Sequence, residues 1–314
     1  MRRFVTLLGM LSRYAPQALA AGVFLGLFLP GLAGILRPWL APAVWVLLYL
    51  AMMRIAWGDL IERIRKPLLL VMIVFWMLIV TPALMALVLS GVEFRPGLEA
   101  AMILTAGSSA LFSTPALGVM FGLDGALLLI VLVATTLLMP ITVPLAAMAL
   151  LGFDIGADPY AMMGRMSQLV ISAALAAVLS RKLIGDARVN AHAPEMDGMA
   201  VGLLLVFAIG IMDGVGVRLM ADPADVAVVV ALSFAVYGGM LVIGAIVFKL
   251  LIPGTSRRDA LSAGFTSGAR NLALILAVLP ASVDPDIPLF FAVGQFPIYI
   301  MPMILMPIMR RFLR

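Results

Sequence analysis

The hexapeptide Thr266-Ser-Gly-Ala-Arg-Asn271 is a polar interruption, with a permanent cation at Arg270, inside an apolar segment that extends from 260 to 280. A similar interruption lies in the first half of the chain, where Thr105-Ala-Gly-Ser-Ser109 is followed by Phe112-Ser-Thr-Pro-Ala-Leu-Gly118. Within an apolar helix, such residues are tolerated where the freed backbone groups find new partners. We therefore expect two broken helices that face each other and a surrounding frame formed by the rest of the chain.

The composition places both interruptions in a membrane. With 64% hydrophobic residues, 12% charged residues and a mean hydropathy of +1.17, the 314-residue chain has too little polar surface for a water-soluble globule. Apolarity along the whole length predicts an all-α integral membrane protein, because a β-barrel would show short alternating segments. The net charge of +5 does not indicate nucleic-acid binding, since the basic residues flank apolar runs.

The sequence offers no catalytic constellation. It contains no cysteine, its single histidine is His192 in a polar loop, and the motifs of phosphate loops, zinc proteases and serine hydrolases are missing. We therefore expect neither an enzyme nor a resident cofactor. Without a nucleotide site, any transport would depend on a gradient or be passive.

Ten apolar spans divide the chain when about 20 residues are taken as the length of a transmembrane helix. They are 15–35, 38–58, 67–91, 97–121 (broken), 124–151, 160–181, 196–217, 224–249, 258–280 (broken) and 286–309. The residues before the first span predict a short interfacial segment. Short connections leave no room for a soluble domain.

The basic residues indicate the orientation of these spans, because cytoplasmic loops are enriched in Lys and Arg. With the N-terminus inside, fifteen basic residues are cytoplasmic: Arg2, Arg3, Arg13, Arg63, Arg65, Lys66, Arg181, Lys182, Arg188, Lys249, Arg257, Arg258, Arg310, Arg311 and Arg314. Four are external: Arg37, Arg95, Arg165 and Arg218. The bias predicts a multi-pass protein, of a bacterial inner membrane, with both termini cytoplasmic.

The two halves of the chain resemble each other. Leu138-Met-Pro-Ile-Thr-Val-Pro144 in the fifth span recurs as Ile300-Met-Pro-Met-Ile-Leu-Met-Pro307 in the tenth, each after a broken span. Five spans in each half is an odd number, so the second half would enter the membrane from the opposite side. The prediction is two inverted five-helix repeats, 1–151 and 152–314, an arrangement typical of secondary transporters.

Arg270 is the first candidate for a functional side chain. Its guanidinium suits a carboxylate, sulfonate or phosphate, and a charge at membrane depth needs a partner or a watery cavity. The alternatives are an internal ion pair with an acid such as Asp124 or Asp213, or the capping of carbonyl groups freed at the break. Asp213 could also pair with Arg218.

Further polar residues surround the two breaks. Besides Arg270, the residues predicted to bind substrate are Asn271, Ser108, Ser109, Thr114 and Gln295. Those predicted to supply ligands for an ion are Ser113, Thr135, Thr136, Thr266 and Ser267. The residues predicted to break the helices are Pro115 and Gly268. For each hydroxyl, back-bonding within a helix and close helix packing are the structural alternatives.

Over most of its length the chain resembles the bile acid:sodium symporter family. The family's ninth helix carries a Glu-Val-Gly-Met-Gln-Asn type motif, and the hexapeptide at 266–271 keeps its glycine and its asparagine. The fourth helix resembles the family's Ser-Asn crossover, with Thr114 for serine and Pro115 for asparagine; Asp124 and Thr136-Leu-Leu-Met-Pro140 also match. The resemblance implies a panel domain and a core domain, with helices 4 and 9 crossing in the core and an organic anion bound near the crossing.

Three departures from the family pattern affect sodium. Thr266 replaces the family's sodium-binding glutamate, Arg270 its glutamine and Pro115 its asparagine, so most side-chain sodium ligands are missing. The resulting hypothesis is alternating-access transport of a small organic anion, a carboxylate or a bile-acid-like molecule, with sodium dependence lost or weakened. Alternatives are an efflux carrier like the auxin or arsenite relatives, or a non-transporting membrane sensor or scaffold of the same fold.

Overall fold

The computed structural model of the chain describes residues 15–55, 66–151, 156–280 and 282–313, and nearly all of them are helical. The predicted interfacial segment before residue 15, together with Arg63, Arg65 and Arg314, lies outside the described residues. The described helices are α1 (Ala15–Phe28), α2 (Pro30–Leu36), α3 (Leu40–Met53), α4 (Pro67–Phe75), α5 (Thr81–Leu89), α6 (Pro96–Gly107), α7 (Thr114–Phe121), α8 (Gly125–Leu150), α9 (Pro159–Ile184), α10 (Asp186–Ala191), α11 (Ala193–Gly210), α12 (Val215–Ala221), α13 (Pro223–Leu250), α14 (Arg257–Gly268), α15 (Ala273–Leu276), α16 (Asp286–Val293) and α17 (Gln295–Leu313).

Two short irregular stretches join neighbouring helices into longer rods. A 3₁₀ turn, Arg37–Trp39, links α2 to α3, and a π-helical stretch, Trp76–Val80, links α4 to α5. Two strands of two residues each, β1 (Ser109–Ala110) and β2 (Arg270–Asn271), complete the described elements.

Six helical segments among the described residues are long and apolar enough to cross a membrane. They are Pro30–Met53, Pro67–Leu89, Gly125–Leu150, Pro159–Ile184, Ala193–Ala221 and Pro223–Leu250. Shorter apolar helices occupy Ala18–Phe28 and Asp286–Met301. The protein is thus a multi-pass, all-α membrane protein, as its composition predicts. The count of ten spans and their inverted repeat remain predictions.

The chain divides into two compact units, each of which takes segments from both halves of the sequence. The first comprises residues 1–61 and 167–226, and the second comprises 62–166 and 227–314. This division differs from the predicted repeats, 1–151 and 152–314, which describe similarity along the chain and not compactness.

Polar contacts link distant segments of the first unit. Trp45 Nε1 donates to Ser172 Oγ at 2.9 Å, and Arg37 pairs with Asp213 at 2.8 Å. Arg218, suggested by the sequence as a partner of Asp213, instead contacts Asp225 at 2.9 Å. Asp225 lies seven residues further along, across the start of α13, so the contact is local.

In the second unit, helices α6 and α14 end at Gly107 and Gly268, and the chains that follow them pair with each other at a place that we call the crossing. Beyond each helix end, β1 pairs with β2 antiparallel, with Ser109 opposite Asn271 and Ala110 opposite Arg270. The chains then continue as α7 and α15. These interruptions fall at the two stretches that the sequence singles out.

Gly268 permits the close approach of α14 to α13. A Cβ atom at this position would lie 2.6 Å from Leu241 Cβ and 2.8 Å from the Tyr237 carbonyl oxygen, closer than side chains normally approach. The glycine therefore lets the two backbones touch at the point where α14 ends.

Pro115 has a different role from the predicted one. The interruption of the fourth segment precedes it, between α6 and α7, and Pro115 lies in the first turn of α7. Proline is favoured there because the first N–H groups of a helix have no intrahelical acceptor. Pro115 therefore helps to start a helix and does not break one.

Candidate functional site

Arg270 is fully buried at the crossing, and its guanidinium is surrounded by oxygen atoms. Nε donates to the Ser267 carbonyl at 2.7 Å. Nη1 donates to the carbonyls of Met77, at 3.1 Å, and Ser108, at 2.7 Å. Nη2 donates to Thr81 Oγ1 at 2.9 Å. Four of the five N–H groups of a guanidinium are thus directed at neutral acceptors.

The Met77 carbonyl belongs to the π-helical stretch Trp76–Val80, where the regular hydrogen-bond pattern of the helix is shifted. Thr81 follows it, and its hydroxyl lies 2.7 Å from the carbonyls of both Met77 and Ala106. One hydroxyl proton serves one of these carbonyls at a time, while the oxygen accepts from Arg270. Thr81 Oγ1 therefore contacts three segments of the second unit: the π-helical stretch that precedes it, α6 through Ala106, and β2 through Arg270.

Two helix C-termini meet the guanidinium. The Ser108 carbonyl follows the end of α6, and the Ser267 carbonyl is in the last turn of α14. The C-terminus of a helix carries a partial charge of about −0.5. Two such ends together provide roughly the countercharge that one guanidinium needs, without a carboxylate.

No carboxylate contacts Arg270 among the described residues. Asp124 caps the start of α8, where its Oδ1 accepts from the amides of Ala126 and Leu127 at 3.2 Å. Asp213 is engaged with Arg37. Of the alternatives left open by the sequence, the structure therefore shows the capping of carbonyl groups and not the ion pair with either acid.

The opposite face of the crossing carries polar atoms that lack partners. Successive side chains of a strand point to opposite faces, so Asn271 points away from Arg270, and Ser109 lies opposite Asn271 in the ladder. Ser109 Oγ and Asn271 Nδ2 are buried and have no hydrogen-bond partner among the described residues. The same holds for Thr114 Oγ1 and Thr136 Oγ1. Because unsatisfied buried polar atoms are costly, these four atoms are candidates for contact with a ligand.

Asn271 is held in place by its other side-chain atom. Oδ1 accepts from the Ala273 amide at 3.1 Å, at the start of α15, which leaves Nδ2 as a fixed and unused donor. Thr114 is the first residue of α7 and is fully buried. The partial positive charge of a helix N-terminus is therefore close to its unused hydroxyl.

Three of the five residues predicted to bind an ion use their hydroxyls in other hydrogen bonds, and their role in ion binding stays a prediction. Most of their hydroxyls bond within their own helices. Thr266 Oγ1 contacts the Ser262 and Ala263 carbonyls, Thr135 Oγ1 contacts the Val131 carbonyl and accepts from the Ala110 amide, and Ser267 Oγ contacts the Ala263 carbonyl and accepts from Trp76 Nε1. Ser113 is half-buried between β1 and α7.

Gln295 belongs to the same unit but turns back on its own segment. Nε2 donates to the Phe291 carbonyl at 3.2 Å, across the junction of α16 and α17. Its predicted role in substrate binding stays a prediction.

The residues that sequence reasoning missed come from the third segment. Thr81 contacts both polar stretches, through the Ala106 carbonyl and through Arg270, and Trp76 contacts the second stretch through Ser267 Oγ at 3.0 Å. The signal was present in the sequence, because Thr81-Pro82 is a polar, helix-disturbing pair inside an otherwise apolar run.

The oxygen atoms around the guanidinium are of the type that hard cations prefer, three carbonyls and one hydroxyl. Arg270 already occupies that position, so these atoms do not fit a sodium ion in addition. No cluster of three or more His, Asp or Glu side chains suited to a metal is found in the part of the chain that the structure describes. Comparison of the sequence with protein-family models and with curated proteins gave no match.

Proposed function

We propose that the protein is a sodium-independent secondary transporter of a small organic anion, a carboxylate or a bile-acid-like molecule, related to the bile acid:sodium symporters. One observation carries the proposal: Arg270 is fully buried at the crossing of two broken helices and bonds only to neutral oxygens. In transporters built on broken helices, the C-terminal ends and unwound carbonyls bind the coupling cation. Here the guanidinium takes the place of that cation permanently.

The anion belongs on the other face of the crossing. Ser109 Oγ and Asn271 Nδ2 are unused there, and Thr114 Oγ1 is unused at the N-terminus of α7, which adds a favourable partial charge. Hydroxyl and amide donors suit a carboxylate or sulfonate oxygen. Arg270 then acts on the anion through its charge and without direct contact.

The architecture supports the same proposal. Each compact unit contains segments from both halves of the chain, as expected for a panel and a core assembled from two repeats. Ten spans, inverted repeats, alternating access and cytoplasmic termini in a bacterial inner membrane are parts of the proposal that rest on the span lengths and the charge bias.

Ligand-dependent thermal stability tests the proposal. The purified protein is heated with a panel of organic anions, each in sodium, potassium or choline salts. A ligand that binds the folded state raises the melting temperature by mass action. We expect one class of anion to stabilise equally in all three salts, and stabilisation that requires sodium would overturn sodium independence.

Flux separates transport from sensing. Proteoliposomes containing the stabilising anion are assayed for exchange of a labelled copy of it across the membrane. Exchange in choline buffer is the expected result. Binding without any flux would instead identify a sensor or scaffold.

A further inference from the structure

An apolar groove of about 300 Å³ lies wholly within the second unit, and Ser109, Asn271 and Thr114 are not among the residues that line it. One wall is a face of α13 whose lining residues follow helical spacing: Leu232, Ala235, Val236, Gly239, Met240 and Ile243. The other wall consists of Trp76, α5 and the segment after it as far as Phe94, together with Met102 of α6. Its volume is at the lower limit of pockets that hold ligands, roughly 300–1,000 Å³.

No polar atom of the lining side chains is available to a ligand. Thr81 and Trp76 are the polar members, and both turn their polar atoms away from the groove. The Thr81 hydroxyl is taken by Arg270 and by backbone carbonyls, and Trp76 Nε1 donates to Ser267 Oγ. The groove therefore suits a ligand that consists of hydrocarbon.

The groove is elongated. From Leu232 to Ile243 the α13 wall extends for about 16 Å at 1.5 Å per residue. Half of a hydrocarbon core of about 30 Å is about 15 Å, so the length equals that of one lipid leaflet. An α-helix about 10 Å across would displace roughly 1,200 Å³ over the same distance, about four times the volume of the groove, so a whole helix of a partner protein does not fit inside it.

The groove is continuous with the lipid-facing surface. Among its lining residues, Val88 is 61% exposed and Ile243 is 42% exposed. Leu87 and Val242, which adjoin them, are also exposed, as expected for helices that contact lipid. Hydrocarbon chains of the bilayer thus have direct access to the opening.

We propose that this groove binds one acyl chain of a membrane phospholipid. The chain lies along α13, covers the indole of Trp76 and packs on the methyl side of Thr81. The same two side chains hold Arg270 and Ser267, so the bound chain supports the wall behind the guanidinium. This inference does not depend on the proposed transport activity.

Quenching of Trp76 fluorescence by brominated lipid tests the inference. Trp39, Trp45 and Trp57 are replaced by Phe, so that Trp76 is the remaining tryptophan, and the protein is reconstituted in phosphatidylcholine vesicles with or without bromine on the acyl chains. Trp76 is 8% exposed, so lipid outside the groove has little access to it. We expect brominated phospholipid to remove most of the Trp76 emission.

Gly239→Leu provides the blocking variant. Gly239 lines the groove and a Cβ at this position meets no atom within 4 Å, so there is room at the backbone for a side chain that occupies the groove. Gly202→Leu, in α11 of the first unit, is the matched control, since a Cβ there also meets nothing within 4 Å. We expect Gly239→Leu to abolish most of the quenching and Gly202→Leu to leave it unchanged, with both variants melting like the parent.

Three outcomes would overturn the inference. Equal Trp76 emission in brominated and unbrominated vesicles would show that no chain reaches the indole. If Trp76 is still quenched in Gly239→Leu, the quenching comes from lipid outside the groove. Quenching by an added brominated fatty acid, but not by brominated phospholipid, would identify a free amphiphile as the occupant.

Discussion

Replacing Thr81 by valine removes one hydroxyl from the guanidinium site at almost constant volume. The variant leaves Arg270 Nη2 without its acceptor at 2.9 Å and the Ala106 carbonyl without a donor at 2.7 Å. Hydrogen bonds to charged groups contribute about 1.5–3 kcal/mol and neutral ones about 0.5–1.5 kcal/mol. We expect Thr81→Val to lower the free energy of unfolding by about 2 to 4 kcal/mol.

Two further variants separate the effect of the Thr81 hydroxyl from the effect of replacing a threonine. Thr81→Ser keeps the acceptor and loses one methyl group, so we expect a loss of about 1 kcal/mol. Thr142→Val removes an exposed hydroxyl on α8 that bonds back to the Leu138 carbonyl at 3.3 Å, and we expect a change within about 0.5 kcal/mol. The free energies are measured by reversible titration with a denaturing detergent.

The relative free energies of unfolding of the three variants test whether the Thr81 hydroxyl stabilises the guanidinium. If Thr81→Val is as stable as Thr81→Ser, the Thr81 hydroxyl does not accept a hydrogen bond from Arg270. The arrangement of oxygen atoms around the guanidinium would then be wrong. If Thr142→Val loses as much as Thr81→Val, the loss reflects threonine replacement in general.

Three other substitutions test the crossing. Arg270→Gln should abolish the melting-temperature shift caused by the anion, because the two helix C-termini would lose their countercharge; an undiminished shift would contradict this. Asn271→Asp should also abolish the shift, because a carboxylate there repels the anion while its Oδ1 can still accept from the Ala273 amide; tighter anion binding would contradict the placement of the anion beside Asn271. Gly268→Leu should fail to yield folded protein, because its Cβ would meet Leu241 and Tyr237 at under 3 Å, and a well-folded variant would contradict the close approach of α14 to α13.

The main features of the fold could be predicted from the sequence. Hydropathy alone identifies the membrane class, and predicted spans such as 67–91 and 224–249 coincide with described helices to within a few residues. Both interruptions could also be located, because glycine, hydroxyl residues and an arginine rarely share an apolar segment without a structural reason.

The partners of Arg270 could not be predicted. Three of its four acceptors are backbone carbonyls, which every residue possesses, so no residue type marks them. The Met77 carbonyl lies in a π-helical stretch, and no motif in the sequence predicts such a stretch there. Sequence reasoning therefore offered the capping of freed carbonyls beside an ion pair with an acid, but it could not name the carbonyls.

The role of Pro115 illustrates a second limit. A proline inside an apolar run can either kink a helix or start one, and the choice depends on where the preceding helix ends. Here α6 ends at Gly107, and the chain needs several residues for the ladder before a new helix can begin. The ladder forms only with the second half of the chain, which local patterns do not describe.

The guanidinium also sets an order of events during biosynthesis. Met77 and Arg270 are 193 residues apart, and Ser108 and Arg270 are 162 apart. At about 5–20 residues per second, the ribosome takes roughly 10 to 40 s to reach Arg270 after making Met77. During that time the carbonyls of Met77 and Ser108 lack the guanidinium donor. Water or the membrane-insertion machinery has to provide their hydrogen bonds until Arg270 has been synthesised and inserted.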